Sequence, residues 1–232
     1  MDKLHNWSLS QWQKKTQQFL RTTCAAINKI QCDEQFLEAA KALAGFGSPS
    51  YVLPVRRERW FNYLHHPNVH RPRIITTGMG KAGHIAEKVA SSLCSLGMSA
   101  AYLHPGEALH GDVGLIVEGD VVLAFSTSGK TREVVQVARF AKRLKASKVI
   151  AVTSHPDGAI RRYADIVVDI GVIEEAGFLG IAPTTSVTVM LVVGDLLASM
   201  AAELRGTTMK EFSTRHHGGY LGHKSRKLIP RT

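Results

Sequence analysis

Val121-Val122-Leu123-Ala124-Phe125 runs directly into Ser126-Thr127-Ser128-Gly129-Lys130-Thr131. Five apolar residues without alternation read as a strand buried on both faces, the pattern of a parallel sheet. The stretch Arg132 to Leu144 reads as a helix. A hydroxyl-rich turn between a strand end and a helix start is suited to an anion. The first N–H groups of the helix have no intrahelical partner, and the macrodipole favours negative charge there. Small hydroxyl side chains add donors without filling the space a phosphate needs. Ser126, Thr127, Ser128 and Thr131 are therefore candidate phosphate ligands.

Outward from that turn the chain alternates strands and helices. Strands are expected at Arg73–Thr77, Ala100–Leu103, Lys148–Thr153 and Ile166–Ile170. Helices are expected at Lys81–Leu96, with Gly97 after it, and at Thr185–Leu204, ended by Gly206. Before the first strand, Ser8–Phe46 reads as helix with a break near Gln31–Glu34. Gly45–Pro54 and His66–Pro72 read as loops, with a short helix at Arg56–His65 between them. Strands alternating with helices imply βαβ units. The expected fold is a single doubly wound α/β domain with a five-stranded parallel sheet plus N-terminal helices. The expected division is an N-terminal helical extension over 1–70, a sugar-phosphate domain over 71–223 and a basic tail over 224–232. No feature separates a second domain, so the N-terminal helices should pack on the sheet or on a partner subunit.

Bulk properties narrow the function classes. The 232 residues are 44% hydrophobic and 21% charged, with a formal charge of +10, which are globular values with a bias toward anionic ligands. No zinc-finger spacing, basic-leucine pattern or RNA-binding aromatic motif is present, so nucleic acid is not an expected partner. Cys24, Cys32 and Cys94 form no C-x-x-C pair, which fits a reducing compartment. Met1–Gln18 is polar and lacks the apolar core of a signal peptide. Val187–Ala202 is the most apolar window. Asp195 interrupts it, so it reads as a buried helix rather than a membrane span. A cytoplasmic location is expected.

Three phosphate-loop readings compete. A P-loop needs a glycine five positions before Gly129-Lys130-Thr131, and Ala124 occupies that place inside the strand. A dinucleotide fold has its glycine pattern in Gly78-Met79-Gly80-Lys81-Ala82-Gly83, between a strand and a helix. It also requires an acidic residue about 20 positions on to hold a ribose, where this chain has His104-Pro105. The third reading uses both loops. Parallel strands place their carboxyl ends together, so the turns at Gly78–Lys81 and Ser126–Thr131 face one crevice. One holds phosphate while the other offers Gly80 and Lys81 to the sugar.

The motifs recur as a set. They are Gly78-Met79-Gly80-Lys81-Ala82-Gly83-His84, then His104-Pro105-Gly106-Glu107-Ala108 with His110-Gly111-Asp112, then Ser126-Thr127-Ser128-Gly129. Glu175-Ala176 with Leu179-Gly180-Ile181-Ala182-Pro183-Thr184 follows, and His216 with Gly218-Gly219-Tyr220-Leu221-Gly222 closes the series. Over roughly Ile74 to Gly222 the chain resembles the sugar isomerase (SIS) domain of bacterial arabinose-5-phosphate isomerases. The resemblance implies interconversion of D-ribulose 5-phosphate and D-arabinose 5-phosphate, on the route to the Kdo sugar of lipopolysaccharide or capsule. It also implies no obligatory metal or cofactor, and a homotetramer. Related readings are an isomerase of a hexulose or heptose phosphate, or a sugar-phosphate sensor without turnover. The chain departs from the family in three places. The 232 residues hold no pair of CBS modules, so CBS-linked regulation is not expected, Lys130 stands where many members have an acid, and His217 stands where many have Pro.

Aldose–ketose isomerisation through an enediol needs ring opening, a carbon base, an oxyanion partner and a grip on phosphate. The resemblance assigns Glu175 and Glu133 as the two functional glutamates. Burial that raised the Glu175 pKa toward neutrality would suit it to carbon-proton transfer. Glu133, in the first turn of the helix, can orient a sugar hydroxyl, although an acid there also suits the helix dipole. His216 is the candidate for ring opening, in the same site or a neighbouring subunit's. Lys81 is the candidate oxyanion partner. His110 lies near His104 and Glu107 without metal-site spacing, and is read as a contact to a substrate hydroxyl. Thr184, Thr185 and Ser186 are further substrate donors or simple helix caps.

Overall fold

The computed structural model describes residues 8–45 and 73–229. Past Gly45, the expected loops and the short helix at Arg56–His65 lie outside the described residues. Strand β1 is Ile74–Gly78, β2 Ala100–Leu103, β3 Val121–Phe125, β4 Lys148–Thr153 and β5 Ile166–Asp169. All neighbours pair in parallel, in the order β2-β1-β3-β4-β5. The expected five-stranded doubly wound sheet is therefore observed, with strand ends shifted by one residue at β1 and β5.

The two faces follow from the period of two along a strand. Val121, Leu123 and Phe125 join one core with Val89, Leu93, Val193 and Leu197. Val122 and Ala124 join the other with Val134, Val137 and Ala141. Helix α3 (Lys81–Ser95) and helix α6 (Thr185–Arg205) cover the first face, and helix α5 (Arg132–Arg143) covers the second. Burial on both faces explains why Val121–Phe125 is apolar without interruption.

The N-terminal helices belong to this body. Helix α1 is Leu9–Ile27 and helix α2 is Glu34–Leu43, so the expected break falls where Asp33 caps α2 through the Phe36 N–H. Phe36, Ala39, Ala40 and Leu43 lie in the same core as the sheet. The Gln35 side chain accepts from the Val167 N–H on edge strand β5. Thr23 and Thr185 share a buried hydroxyl contact between α1 and α6.

Helix α6 is long and apolar enough to cross a membrane by length and composition. Its Val189, Met190, Val193, Leu197 and Ala201 are fully buried in the core, and Asp195 pairs with Lys88. Past Gly206 come helix α7 (Met209–Arg215) and helix α8 (Gly219–Lys227). The expected boundary at 223 falls inside α8, because the helix buries Gly222 and Ser225 and continues through the basic residues. A short helix α4 (Pro105–Ala108), with Pro105 at its first position, follows β2.

Candidate functional site

The strand order reverses direction between β1 and β3, which extend the sheet to opposite sides. In open α/β sheets the crevice at such a switch point, beyond the carboxyl ends, is the place for a ligand. Gly78 and Phe125 are register partners at those ends, so the turns that follow begin about 4.8 Å apart. The glycine turn and the serine turn thus share the crevice.

The serine turn is held from within and from below. Ser126 Oγ accepts from the Gly129 N–H at 3.1 Å and donates to Thr131 Oγ1 at 3.3 Å. Ser128 Oγ accepts from the Lys130 N–H at 3.1 Å. From the turn after β4, the Ser154 N–H donates to the Thr127 carbonyl. Gly129 has φ +64°, and a Cβ there would lie 2.9 Å from Gly158 Cα, so the glycine is required twice over. Thr131 caps α5 by position only, with no side-chain cap. Among the described residues nothing else caps the first-turn N–H groups of α5, which leaves them to an anion. Ser126 departs from the sequence expectation. It is buried and occupied with shaping the turn, leaving Thr127, Ser128 and Thr131 partly accessible.

The glycine turn packs tightly. A Cβ on Gly83 would meet the Gly78 carbonyl at 2.5 Å and the Tyr102 hydroxyl at 2.8 Å. Tyr102 donates to that same carbonyl at 3.0 Å, and burial, with Glu87 nearby, raises its phenol pKa. Gly80 occupies the N-cap position of α3, and Lys81 is its first residue. A cation at the positive end of a helix opposes the macrodipole. No acid lies in that first turn, and Lys81 is exposed and makes no ion pair among the described residues. An anionic group in the crevice would relieve this arrangement.

Glu175 reaches the same edge by a different route. Val89 packs beside Gly194, Lys88 pairs with Asp195, and Thr207 past the end of α6 bonds the Leu96 carbonyl past the end of α3. The helices therefore run parallel, and both N-termini lie at the carboxyl edge of the sheet. Glu175 Oε2 accepts from the Thr184 N–H at 2.7 Å, the Thr184 hydroxyl at 3.1 Å and the Ser186 N–H at 3.3 Å. Its carboxylate caps α6.

This corrects the expected pKa. Burial alone pushes the Glu175 carboxyl up, but Ser186 and Thr184 more than offset it, and the pKa lies below the ordinary carboxylate value. It also corrects the expected role of three donors. The Thr184 hydroxyl is spent on Glu175 and the Ala176 N–H. Thr185 is fully buried, with its hydroxyl on Ala176 and Thr23. Ser186 is buried, its N–H is given to Glu175, and its hydroxyl lies beside that carboxylate and helps to lower its pKa. These residues position Glu175 instead of lining an open surface.

Glu133 sits in the first turn of α5, partly exposed. His110 is exposed in the loop after β2, at the same sheet edge, while His104 accepts from the Glu107 N–H as the cap of α4. No cluster of three or more His, Cys, Asp or Glu side chains suited to a metal occurs among the described residues.

His216 lies elsewhere. Its Nε2 meets Ser95 Oγ at 2.9 Å, at the far end of α3, and its Nδ1 meets the Phe212 carbonyl at 2.8 Å. From Lys81 to Ser95 the helix rises about 21 Å. Within one protomer His216 therefore cannot share a small substrate with Lys81. Bonding to a carbonyl puts a proton on Nδ1, which fixes the ring's orientation and turns Nε2 toward Ser95.

Sequence reasoning missed Asp157. It pairs with Lys130 across from the serine turn, and the Lys130 ammonium lowers its pKa. The Asp157-Gly158 dipeptide is a turn signal, but nothing local announces that this turn buttresses another one. Tyr102 was missed for the same reason.

Comparison with known proteins places the chain. The SIS domain family matches residues 69–200. The arabinose 5-phosphate isomerase KdsD of Pseudomonas aeruginosa is 43% identical over 152 residues, which are 66% of this chain and 46% of that protein. The chain thus spans about half the length of this curated relative. Among solved structures, a Bacteroides fragilis protein assigned as a phosphosugar isomerase involved in capsule formation is 34% identical. It superposes with a TM-score of 0.75 over 90% of this chain and 99% of that one. An E. coli CFT073 protein, solved in complex with arabinose 5-phosphate, is 27% identical, with a TM-score of 0.74 over 90% of this chain and 100% of that one.

Proposed function

The chain belongs to the SIS domain family, and from that premise we propose that it interconverts D-ribulose 5-phosphate and D-arabinose 5-phosphate through an enediol. One observation carries the reading. A free lysine set against a helix dipole stands beside an uncapped hydroxyl turn at the topological switch point. This combination suits a phosphosugar whose reacting end becomes an oxyanion.

The phosphate binds at Ser128, Thr131 and the first N–H groups of α5, the dianion complementing the helix end. Lys81 faces the sugar's reacting carbons and stabilises the negative charge that grows on oxygen. A carboxylate removes the C1 proton of the ketose, giving the enediolate. The proton returns at C2 as the C1 hydroxyl proton passes to the C2 oxygen, leaving the aldehyde at C1 and a hydroxyl at C2. Glu175 is assigned the carbon base, and Glu133 orients a hydroxyl or shares the transfer. Deprotonated at neutral pH, Glu175 is ready to accept a proton. To react it must exchange its contacts with Thr184 and Ser186 for the substrate, as catalytic hydrogen bonds commonly rearrange on binding.

His216 then serves ring opening in a neighbouring protomer's site, consistent with its distance from Lys81. A homotetramer in the cytoplasm, feeding lipopolysaccharide or capsule synthesis, completes the reading. Conversion of ribulose 5-phosphate in deuterated water tests it. Arabinose 5-phosphate carrying deuterium at C2 is the expected product. Binding without turnover, or turnover confined to a hexulose or heptose phosphate, would overturn the assignment.

A further inference from the structure

Strand β4 ends at Thr153, and Ser154 follows it into the turn beyond the sheet. Ser154 is buried, at 2% exposed. No step of the proposed reaction uses it, yet it touches two segments that the reaction needs. Its N–H donates to the Thr127 carbonyl of the serine turn at 3.0 Å, where the Thr153 hydroxyl also donates. Its hydroxyl donates to the Gly171 carbonyl, four residues before Glu175.

Gly171 opens the loop from β5 to α6. It has φ +68°, a left-handed bend that glycine adopts freely. The Ile170 N–H donates to the Thr153 carbonyl at 3.0 Å, and the Gly171 N–H is held by Asp169 Oδ1 at 2.8 Å, within its own short segment. The Ser154 hydroxyl then holds the bend from outside that segment. At the loop's far end, Glu175 and Ala176 are fastened to the start of α6. A pentose phosphate carries its phosphate and its reacting carbons at opposite ends. A site that grips one end and moves a proton at the other needs a fixed span between grip and base. Misplacement by about 1 Å can cost about 10²-fold in rate. With the serine turn as phosphate grip and Glu175 as carbon base, the reading this step rests on, we propose that Ser154 is a positioning residue that sets the span. Its backbone is fixed to the phosphate turn and its hydroxyl to the loop of the base.

Ser154→Ala keeps the backbone bond to Thr127. Gly171 is exposed, so water can replace the hydroxyl at its carbonyl, and the variant should fold while losing the tie. Steady-state kinetics on ribulose 5-phosphate and amide exchange by NMR test this in the full chain. Ser154→Ala should lower kcat at least tenfold, with KM and the inhibition constant of inorganic phosphate within twofold of wild type. In a Glu175→Gln background the same substitution should change kcat by less than twofold, because Ser154 acts through that carboxylate. A general loss of packing would lower both backgrounds alike. The Gly171 and Ala176 N–H groups should exchange at least fivefold faster. The Gly129 and Lys130 N–H groups, bonded to Ser126 and Ser128, should keep their rates. Ser154→Gly removes the same hydroxyl as a second route and should show the same pattern. Wild-type kcat in Ser154→Ala, equal losses in the two backgrounds, or unchanged exchange at Gly171 would overturn the proposal. Absence of isomerisation in the wild-type chain would overturn the proposed function instead, and the exchange rates would still show whether Ser154 ties the loop to the turn.

Discussion

Glu175 shows how neighbours decide what a carboxylate does. The residue type and its motif point to a carbon base, but only the folded contacts set its charge. Replacing it with Gln keeps an acceptor for the Thr184 N–H, so the cap on α6 survives while the proposed base is lost. Glu175→Gln should lower kcat by about 10²–10⁴-fold and change KM little, as steady-state kinetics would show. Wild-type activity in the variant would remove Glu175 from the chemistry. The depressed pKa also has a consequence for stability. A carboxyl whose folded pKa lies below its ordinary 4.5 stabilises the fold above that value, and the stabilisation is lost as pH falls through the folded pKa. Thermal melts below about pH 4.5 should therefore fall more steeply for wild type than for Glu175→Gln. Ser128 is tied less tightly. It is partly exposed and its hydroxyl accepts one backbone bond, so Ser128→Ala should raise KM about tenfold, or about 1.4 kcal/mol, with a smaller effect on kcat.

At the scale of elements, the parallel contact of α3 with α6 sets the site. It brings Lys81 and Glu175 to one edge although they start from strands at different places in the sheet. Gly194 is a tight point of that contact, where a Cβ would lie 2.4 Å from Val89 Cγ2. Helix propensity favours Ala over Gly by about 1 kcal/mol. Overpacking against a branched, fully buried valine opposes it and wins. Gly194→Ala should destabilise the protein by about 1–2 kcal/mol in denaturant melts and weaken turnover through the misplaced helix ends. A stabilised variant would mean that this packing does not constrain the pair. The serine turn depends on its neighbour in the same way, since Gly129 lies against Gly158 and the Ile160 N–H donates to the Gly129 carbonyl.

At the scale of the whole molecule, the described surface is unusually apolar in two places. The β5–α6 loop exposes Phe178 at 89% and Ile181 at 78%, with Val172 and Leu179 close in sequence. Helix α1 exposes Leu9, Trp12, Phe19 and Leu20 while burying only Thr23. Such patches mark interaction surfaces, and in the proposed function the distance of His216 from Lys81 would give assembly a chemical purpose. Co-expression of Lys81→Met with His216→Asn should restore activity that each variant lacks alone. Sedimentation should show a tetramer that Phe178→Asp breaks. Failure to complement would confine the chemistry to one protomer. From the linear chain, the sheet, its parallel pairing and the two turns at its carboxyl edge were legible, because unbroken apolar runs, helix periodicity and glycine spacing are local consequences of burial and backbone sterics. The serine turn was found on the same grounds. Local patterns carry no information about contacts between distant segments. The hydrogen bonds that spend Thr184 and Ser186 on Glu175, the buttress from Asp157 and the separation of His216 from the crevice all depend on such contacts. The sequence determined which groups the protein possesses and which strand ends carry them. Tertiary packing alone decided which of those groups meet, because side-chain charge and reach depend on neighbours that the chain brings together only by folding.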